Sequence, residues 1–163
     1  MLRTLPFLAI AALALAGCGF TPLYSQPGVV GGLAGVEVIA PEGRTGHLIR
    51  EHLDDALAAH NGRAAAYRMD LALSEVRYPR GIRIDNVATR YEYVLTADYT
   101  LRALPSLEPV KNGRTKVTLT YDSADQPYAS IAAQQDAQDR AAEEAARRIQ
   151  LELAAWLATQ RGS

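Results

Sequence analysis

The chain is poor in the residues that usually build metal, redox and thiol sites. Its 163 residues include one cysteine, Cys18, and three histidines. The histidines are His47, His52 and His60, and none of them is four positions from another, so they do not form the i, i+4 pair of a helical metal site. A lone cysteine can form neither an intramolecular disulfide nor a clustered metal centre. We therefore expect no metal and no cofactor.

The sequence also lacks the common motifs of phosphate binding and hydrolysis. Gly31-Gly32 and Gly35 come before the first predicted strand, whereas a dinucleotide-binding fingerprint follows a strand. No Gly-x-Ser-x-Gly elbow is present, and the carboxylates are spread along the chain rather than paired. We expect no catalytic residue and no enzyme. The balance of 17 basic against 18 acidic residues also disfavours a nucleic-acid partner.

Long apolar runs are absent except at the N-terminus. The run from Leu5 to Leu15 is shorter than the roughly 20 residues that a membrane-spanning helix needs. Arg3 precedes it and the small residues Ala16 and Gly17 follow it, which is typical of a secretory signal peptide. Leu-Ala-Gly before Cys18 resembles the lipobox of bacterial lipoproteins, in which the cysteine becomes the first mature residue and is acylated. An ordinary signal peptide with an incidental cysteine is the alternative.

The lipoprotein interpretation divides the chain into three parts. Residues 1–17 are the predicted signal peptide, and residues 18–35, rich in Gly and Pro, are a lipidated tether. Residues 36–160 are expected to form a single domain, because the mature chain is of ordinary domain size. Several acyl chains on one cysteine would hold it firmly in a membrane. Gly19, rather than aspartate, follows the cysteine, which is compatible with export to the outer membrane.

Hydrophobic periodicity predicts the secondary structure of this domain. Alternation of apolar and polar residues indicates strands, with one covered and one wet sheet face. Spacings of three and four indicate two amphipathic helices, and turns are expected near Tyr78–Gly81 and Asn112-Gly113. The predicted elements are a strand at 36–39, a helix at 46–60, strands beginning near 67, 90 and 116, and a helix at 128–159. The expected fold is an α+β two-layer sandwich, a four-stranded mostly antiparallel sheet with two helices on one face, in the order β-α-β-β-β-α.

Arginines cluster around the predicted turn between the second and third strands. Arg77, Arg80, Arg83 and Arg90 lie in this segment. Because arginine suits bidentate contacts with phosphate, the cluster is a candidate site for an anionic lipid. Solvent-exposed charge on the rim of a sheet is the alternative. The tyrosines of the strands either pack in the core or form a surface for a partner protein.

Three segments of the chain resemble one family. The heptapeptide Cys18–Tyr24 resembles the first mature residues of LptE, the lipopolysaccharide-assembly lipoprotein family, in its alphaproteobacterial form. Thr89–Leu101 resembles the central strand of that family, and Tyr121–Ala141 resembles the segment that leads into its final helix. The second half diverges from the enterobacterial form, so no lipid-contacting residue is transferred by position.

The resemblance implies a function and a location. LptE proteins are anchored in the inner leaflet of the outer membrane, on the periplasmic side. They plug the lumen of the β-barrel LptD, support its assembly and bind lipopolysaccharide, and their fold is a two-layer α/β sandwich. The resemblance therefore implies LptD as a protein partner and lipopolysaccharide as a ligand. A lipid-binding or transport-accessory lipoprotein that works without a barrel is the alternative.

Overall fold

The computed structural model describes residues 29–57, 64–82, 84, 88–123 and 126–160, and the predicted signal peptide, Cys18 and His60 lie outside these residues. A two-layer α+β fold is present, which confirms the predicted class, with one additional short helix before the first strand. The elements are α1 (Val29–Leu33), β1 (Val36–Ile39), α2 (Arg44–Leu57), β2 (Tyr67–Ile82), β3 (Ala88–Ala103), β4 (Glu108–Asp122) and α3 (Pro127–Gln160).

The four strands form one sheet in the order β1-β2-β3-β4. β1 is parallel to β2, and the two other pairs are antiparallel, which confirms the mostly antiparallel arrangement. Alternate residues of β3 face the helices and are buried, as the sequence pattern predicts. These buried residues are Tyr93, Leu95, Ala97, Tyr99 and Leu101.

The turn predicted at Tyr78–Gly81 is wrong, because β2 continues through these residues to Ile82. Pro79 is tolerated within β2 because its nitrogen faces the edge of the strand that has no pairing partner among the described residues at this point. The amide of Tyr67 donates to the carbonyl that precedes β1, so it points toward the β1 side of the strand. Pro79 lies an even number of positions later and faces the same edge, where β1 pairs only as far as Asp70. Its missing N–H therefore costs no hydrogen bond to β3.

The turn predicted at Asn112-Gly113 is also wrong, because these residues lie inside β4. The connection between β3 and β4 is instead formed by residues 104–107. Gly113 is cross-strand from Tyr99, and a Cβ at this position would lie 2.5 Å from atoms of the tyrosine ring. The glycine therefore serves close packing within the sheet rather than chain reversal.

Helices α2 and α3 cover one face of the sheet. α3 was predicted within one residue at each end and, at about 1.5 Å per residue, is about 51 Å long. Gln150 Nε2 of α3 donates to the carbonyl of Ala56 at 2.6 Å, which links α3 to the last described turn of α2. Small side chains on α3 allow close packing against the sheet and α2. The buried alanines are Ala137, Ala141, Ala142, Ala145, Ala146 and Ala154.

The short helix α1 was not predicted, because residues 29–35 read as part of the tether. Val29 and Leu33 are buried in the core, one turn apart. Gly32 lies against Leu157 near the end of α3. A helix of five residues is too short to show a helical period, and it is stabilised by tertiary packing rather than by propensity.

The exposed face of α3 carries ion pairs. Asp136–Arg140 at 2.8 Å and Glu144–Arg148 at 2.6 Å are pairs of the i, i+4 type. Arg147 also pairs with Glu144, which lies three positions before it. Hydrogen bonds from Arg147 and Arg148 hold the pKa of Glu144 below its usual value. No helix among the described residues is long and apolar enough to cross a membrane.

Candidate functional site

Arg80 and Arg90 lie side by side on the open face of the sheet, near the tip of the β2–β3 hairpin. They are direct cross-strand partners. Like charges in this position repel, and each guanidinium contacts a carboxylate that offsets the repulsion. Arg80 Nη2 lies 3.3 Å from Glu92 Oε2, and Arg90 Nε donates to Asp122 Oδ1 at 2.7 Å. The hydrogen bond and charge of Asp122 raise the pKa of Arg90.

A cavity of about 590 Å³ opens at this pair, which we call the Arg80–Arg90 site. Gly81, Thr89 and Asp122 complete its lining. The hydroxyl of Thr89 donates to the carbonyl of Gly81 at 2.6 Å and closes the hairpin at this point. Gly81 has a φ of 58°, a left-handed conformation that glycine adopts at little cost.

The chemistry of the Arg80–Arg90 site favours an anion. The Arg80 guanidinium lies 5.8 Å from the ring centroid of Tyr78, within cation–π range. A guanidinium has five N–H donors, so one carboxylate contact does not exhaust its capacity. The site therefore combines two guanidinium groups, each paired with one carboxylate, an exposed aromatic ring and an open cavity, and the remaining N–H donors suit a phosphate or carboxylate group.

Arg77 does not belong to this group. It is cross-strand from Tyr93 on the helix-covered face, and its Nη1 donates to Gln134 Oε1 of α3 at 2.5 Å. The side chain of Arg83 lies outside the described residues. The structure thus brings Arg80 and Arg90 together and places Arg77 on the opposite face. This separation was not predicted, because a turn was expected at Tyr78–Gly81. In a continuous strand, odd and even residues face opposite sides of the sheet.

The remainder of the open face is mostly polar, although the cross-strand pair Val76 and Val94 also lies on it, and many of its charges are paired. Asp70 accepts from Arg68 at 2.8 Å and from Arg102 at 3.0 Å. Arg114 Nε donates to Asp98 Oδ1 at 2.5 Å, and this contact raises the pKa of Arg114. The open face is therefore hydrophilic, and its described residues carry no large excess of positive or negative charge.

Most strand tyrosines pack in the core. Tyr93 donates to Glu75 at 2.7 Å, and Tyr99 donates to Glu152 at 2.6 Å. Burial is the main cause that raises the pKa of both phenols, so they stay protonated and act as donors. The first hydrogen bond links β3 to β2, and the second links β3 to α3. Tyr128, by contrast, is 88% exposed at the start of α3.

Sequence reasoning missed one histidine–carboxylate pair. His52 Nε2 lies 2.9 Å from Asp139 Oδ1, across the contact between α2 and α3. The two residues are 87 positions apart, so no local spacing could have indicated the contact. The pair does not line the Arg80–Arg90 cavity. Within the described part of the chain, no group of three or more side chains is placed to hold a metal ion.

Comparisons with known proteins cover most of the domain. A family model described as LptE: Lipopolysaccharide-assembly matches residues 33–153. A crystal structure of a lipoprotein from Caulobacter crescentus CB15 is 56% identical in sequence, with a TM-score of 0.71. The alignment covers 82% of this chain and 97% of that one. No curated protein matches the chain in a search.

Two more distant structures share the fold. Rare lipoprotein B from Shewanella oneidensis is 14% identical with a TM-score of 0.58, covering 78% of this chain and 97% of that one. Lipoprotein B from Nitrosomonas europaea is 14% identical with a TM-score of 0.57, covering 76% of this chain and 83% of that one. At this level of identity the likeness concerns the arrangement of strands and helices alone.

Proposed function

Because this chain belongs to the LptE family of lipopolysaccharide-assembly lipoproteins, we propose that it plugs the LptD barrel of the outer membrane and supports its assembly. In this proposal it also binds lipopolysaccharide and has no catalytic activity. Acyl chains on Cys18 hold it on the periplasmic side of the outer membrane. Two or more chains on one residue give stable attachment without a spanning helix.

The open face of the sheet is the observation that carries the plug proposal. Its strands of 15 and 16 residues present ion pairs and hydroxyls on one side and pack against helices on the other. The interior of a large membrane barrel is polar and filled with water. A domain with a hydrated, charge-paired face fits such a lumen. Neither this face nor the wall of the barrel then has to bury an unpaired charge.

Co-purification tests this function. The tagged, lipidated protein should retain a large outer-membrane barrel when membranes are dissolved in a mild detergent. A fusion of residues 1–28 to an unrelated soluble domain is the matched control, since it keeps the anchor and removes the plug. Recovery of the barrel with both proteins, or with neither, would refute the proposal.

For lipopolysaccharide binding, we propose that Arg80 and Arg90 contact its phosphates. Replacing both with glutamine should weaken binding about tenfold, equivalent to about 1.4 kcal/mol, because two charge-assisted contacts are lost. The difference should shrink at high salt, since exposed charges are screened. Titration of the soluble domain with lipopolysaccharide measures the effect.

Arg77→Gln is the control for this experiment, since it makes the same chemical change on the opposite face. It should leave lipopolysaccharide binding unchanged. Equal binding by the Arg80→Gln/Arg90→Gln protein and the unaltered protein would rule out the Arg80–Arg90 site.

The Arg80–Arg90 cavity also favours a second candidate function, a lipid-binding accessory lipoprotein that works without a barrel. Loss of lipopolysaccharide binding in the double variant, together with no recovered barrel, would support this candidate. Recovery of the barrel would support the plug instead.

A further inference from the structure

One end of the domain has an exposed surface that is mostly apolar. It lies where β1 and β2 begin and β3 ends, and we call it the end cap. Backbone hydrogen bonds hold its parts together: Ala66 donates to Gly35 at 2.8 Å, and Leu104 donates to Ala66 at 2.9 Å. The exposed residues of the end cap are Val30, Ala64, Ala65, Ala66, Pro105, Ser106 and Leu107, of which only Ser106 has a polar side chain.

The end cap carries two half-exposed aliphatic side chains. Val30 is 52% exposed and Leu107 is 47% exposed. Charged residues adjoin them: Glu108 follows the cap directly, and Arg102 donates through Nη1 to the carbonyl of Leu107 at 3.2 Å and pairs with Asp70. This end therefore exposes aliphatic carbon with charged residues at its rim.

Leu107 occupies an unusual conformation for an exposed apolar residue. Its φ is 59°, in the left-handed region where glycine and asparagine are favoured. A leucine here strains the backbone, and its half-exposed side chain gains little from the core. Strained residues of this kind often mark places where a side chain has a role beyond packing.

The path of the chain indicates what meets the end cap. α1 begins at Val29, eleven residues after Cys18, and an extended segment of that length spans at most about 40 Å. Gly32 lies against Leu157, so the last turns of α3 are at this end as well. The Arg80–Arg90 site lies toward the other end of β2, a strand about 50 Å long. An anchor at Cys18 therefore joins the described domain beside the end cap.

We propose that the end cap rests on the phospholipid surface when the acyl chains of Cys18 are inserted, with Val30 and Leu107 at the boundary of headgroups and acyl chains. The inference rests on the lipid anchor of the proposed function. Two aliphatic side chains alone would bind a membrane weakly. The anchor keeps them close to the lipid, so their contact is effectively intramolecular.

Site-directed fluorescence tests the orientation. Acylation consumes the thiol of Cys18, the chain's one cysteine, so Leu107→Cys can be labelled selectively with an environment-sensitive dye. Thr118→Cys, on the exposed open face, is the matched control. The lipidated proteins are bound to vesicles of phosphatidylethanolamine and phosphatidylglycerol that carry a headgroup quencher. We expect blue-shifted emission and severalfold stronger quenching at position 107 than at position 118.

A second label at Val30→Cys keeps the test valid if the Leu107 variant folds poorly. Strong quenching at position 30 and weak quenching at position 118 would also support the inference. Vesicle-bound protein with equal quenching at all three positions would overturn the inference and leave the anchor intact. Lipidated protein that does not float with the vesicles would refute the anchor, and the inference with it.

Discussion

Replacing Cys18 with alanine is expected to release the protein from the membrane fraction while its domain stays folded. At about 0.8 kcal/mol per buried methylene, each long acyl chain contributes on the order of 10 kcal/mol to membrane attachment. Among the described residues, the core extends from Val29 to Leu157 and is the part of the chain that we expect to stay folded. When the variant is exported behind a signal peptide whose cleavage does not require Cys18, the expected result is near-complete transfer from the membrane pellet to the soluble fraction.

Fractionation with a thermal melt of the soluble form measures this outcome. Thr21→Ala, three residues away in the same segment, is the control and should stay in the membrane fraction. If Cys18→Ala stayed in the pellet after a high-salt wash, Cys18 would not be the anchor. A lowered melting temperature in Cys18→Ala would show that the N-terminal segment also supports the fold.

Gly113→Ala is expected to destabilise the domain by about 3 kcal/mol. Its new Cβ would lie 2.5 Å from ring atoms of Tyr99, a distance that side chains do not tolerate. Tyr99 cannot shift easily, because its ring is buried and its hydroxyl donates to Glu152. Overpacking costs about 1–3 kcal/mol, and a lost hydrogen bond to a charged group costs about 1.5–3 kcal/mol. The melting temperature should fall by about 10 °C.

Gly35→Ala is the matched control for this prediction. A Cβ there would meet its nearest neighbour at 3.5 Å, an ordinary contact, so its melting temperature should change little. Adding Tyr99→Leu to Gly113→Ala should cost less than the sum of the two single changes, because the smaller residue relieves the clash. Unchanged stability of Gly113→Ala would mean that Tyr99 does not pack over this glycine.

Local periodicity was sufficient to predict most of the fold. β1 was predicted at its observed bounds, and α3 within one residue at each end. Alternation also identified the buried face of β3, because a strand that covers a core on one side must place every second residue there. The turns were misplaced because Pro79 and Gly113 signal chain reversal in isolation. In the sheet, Pro79 faces a free edge, and Gly113 accommodates a tyrosine ring.

The candidate site was only partly predictable. The sequence indicated four neighbouring arginines, but neighbours along a strand point to opposite faces. Arg80 and Arg90 meet because β2 and β3 pair in a particular register, and Arg77 faces α3 for the same reason. His52 and Asp139 also meet only after α2 packs on α3. Such contacts depend on long-range register, which local patterns do not encode.

The sequence by itself determined the anchor hypothesis, the fold class and the family resemblance. The heptapeptide Cys18–Tyr24 lies outside the span 33–153 that the family model matches, so two separate parts of the chain indicate the same family. Only the tertiary structure decided which arginines share a site and that α1 belongs to the core. The physical reason is that periodicity assigns each residue to a face of its own element. The pairing of elements then decides which faces and ends meet.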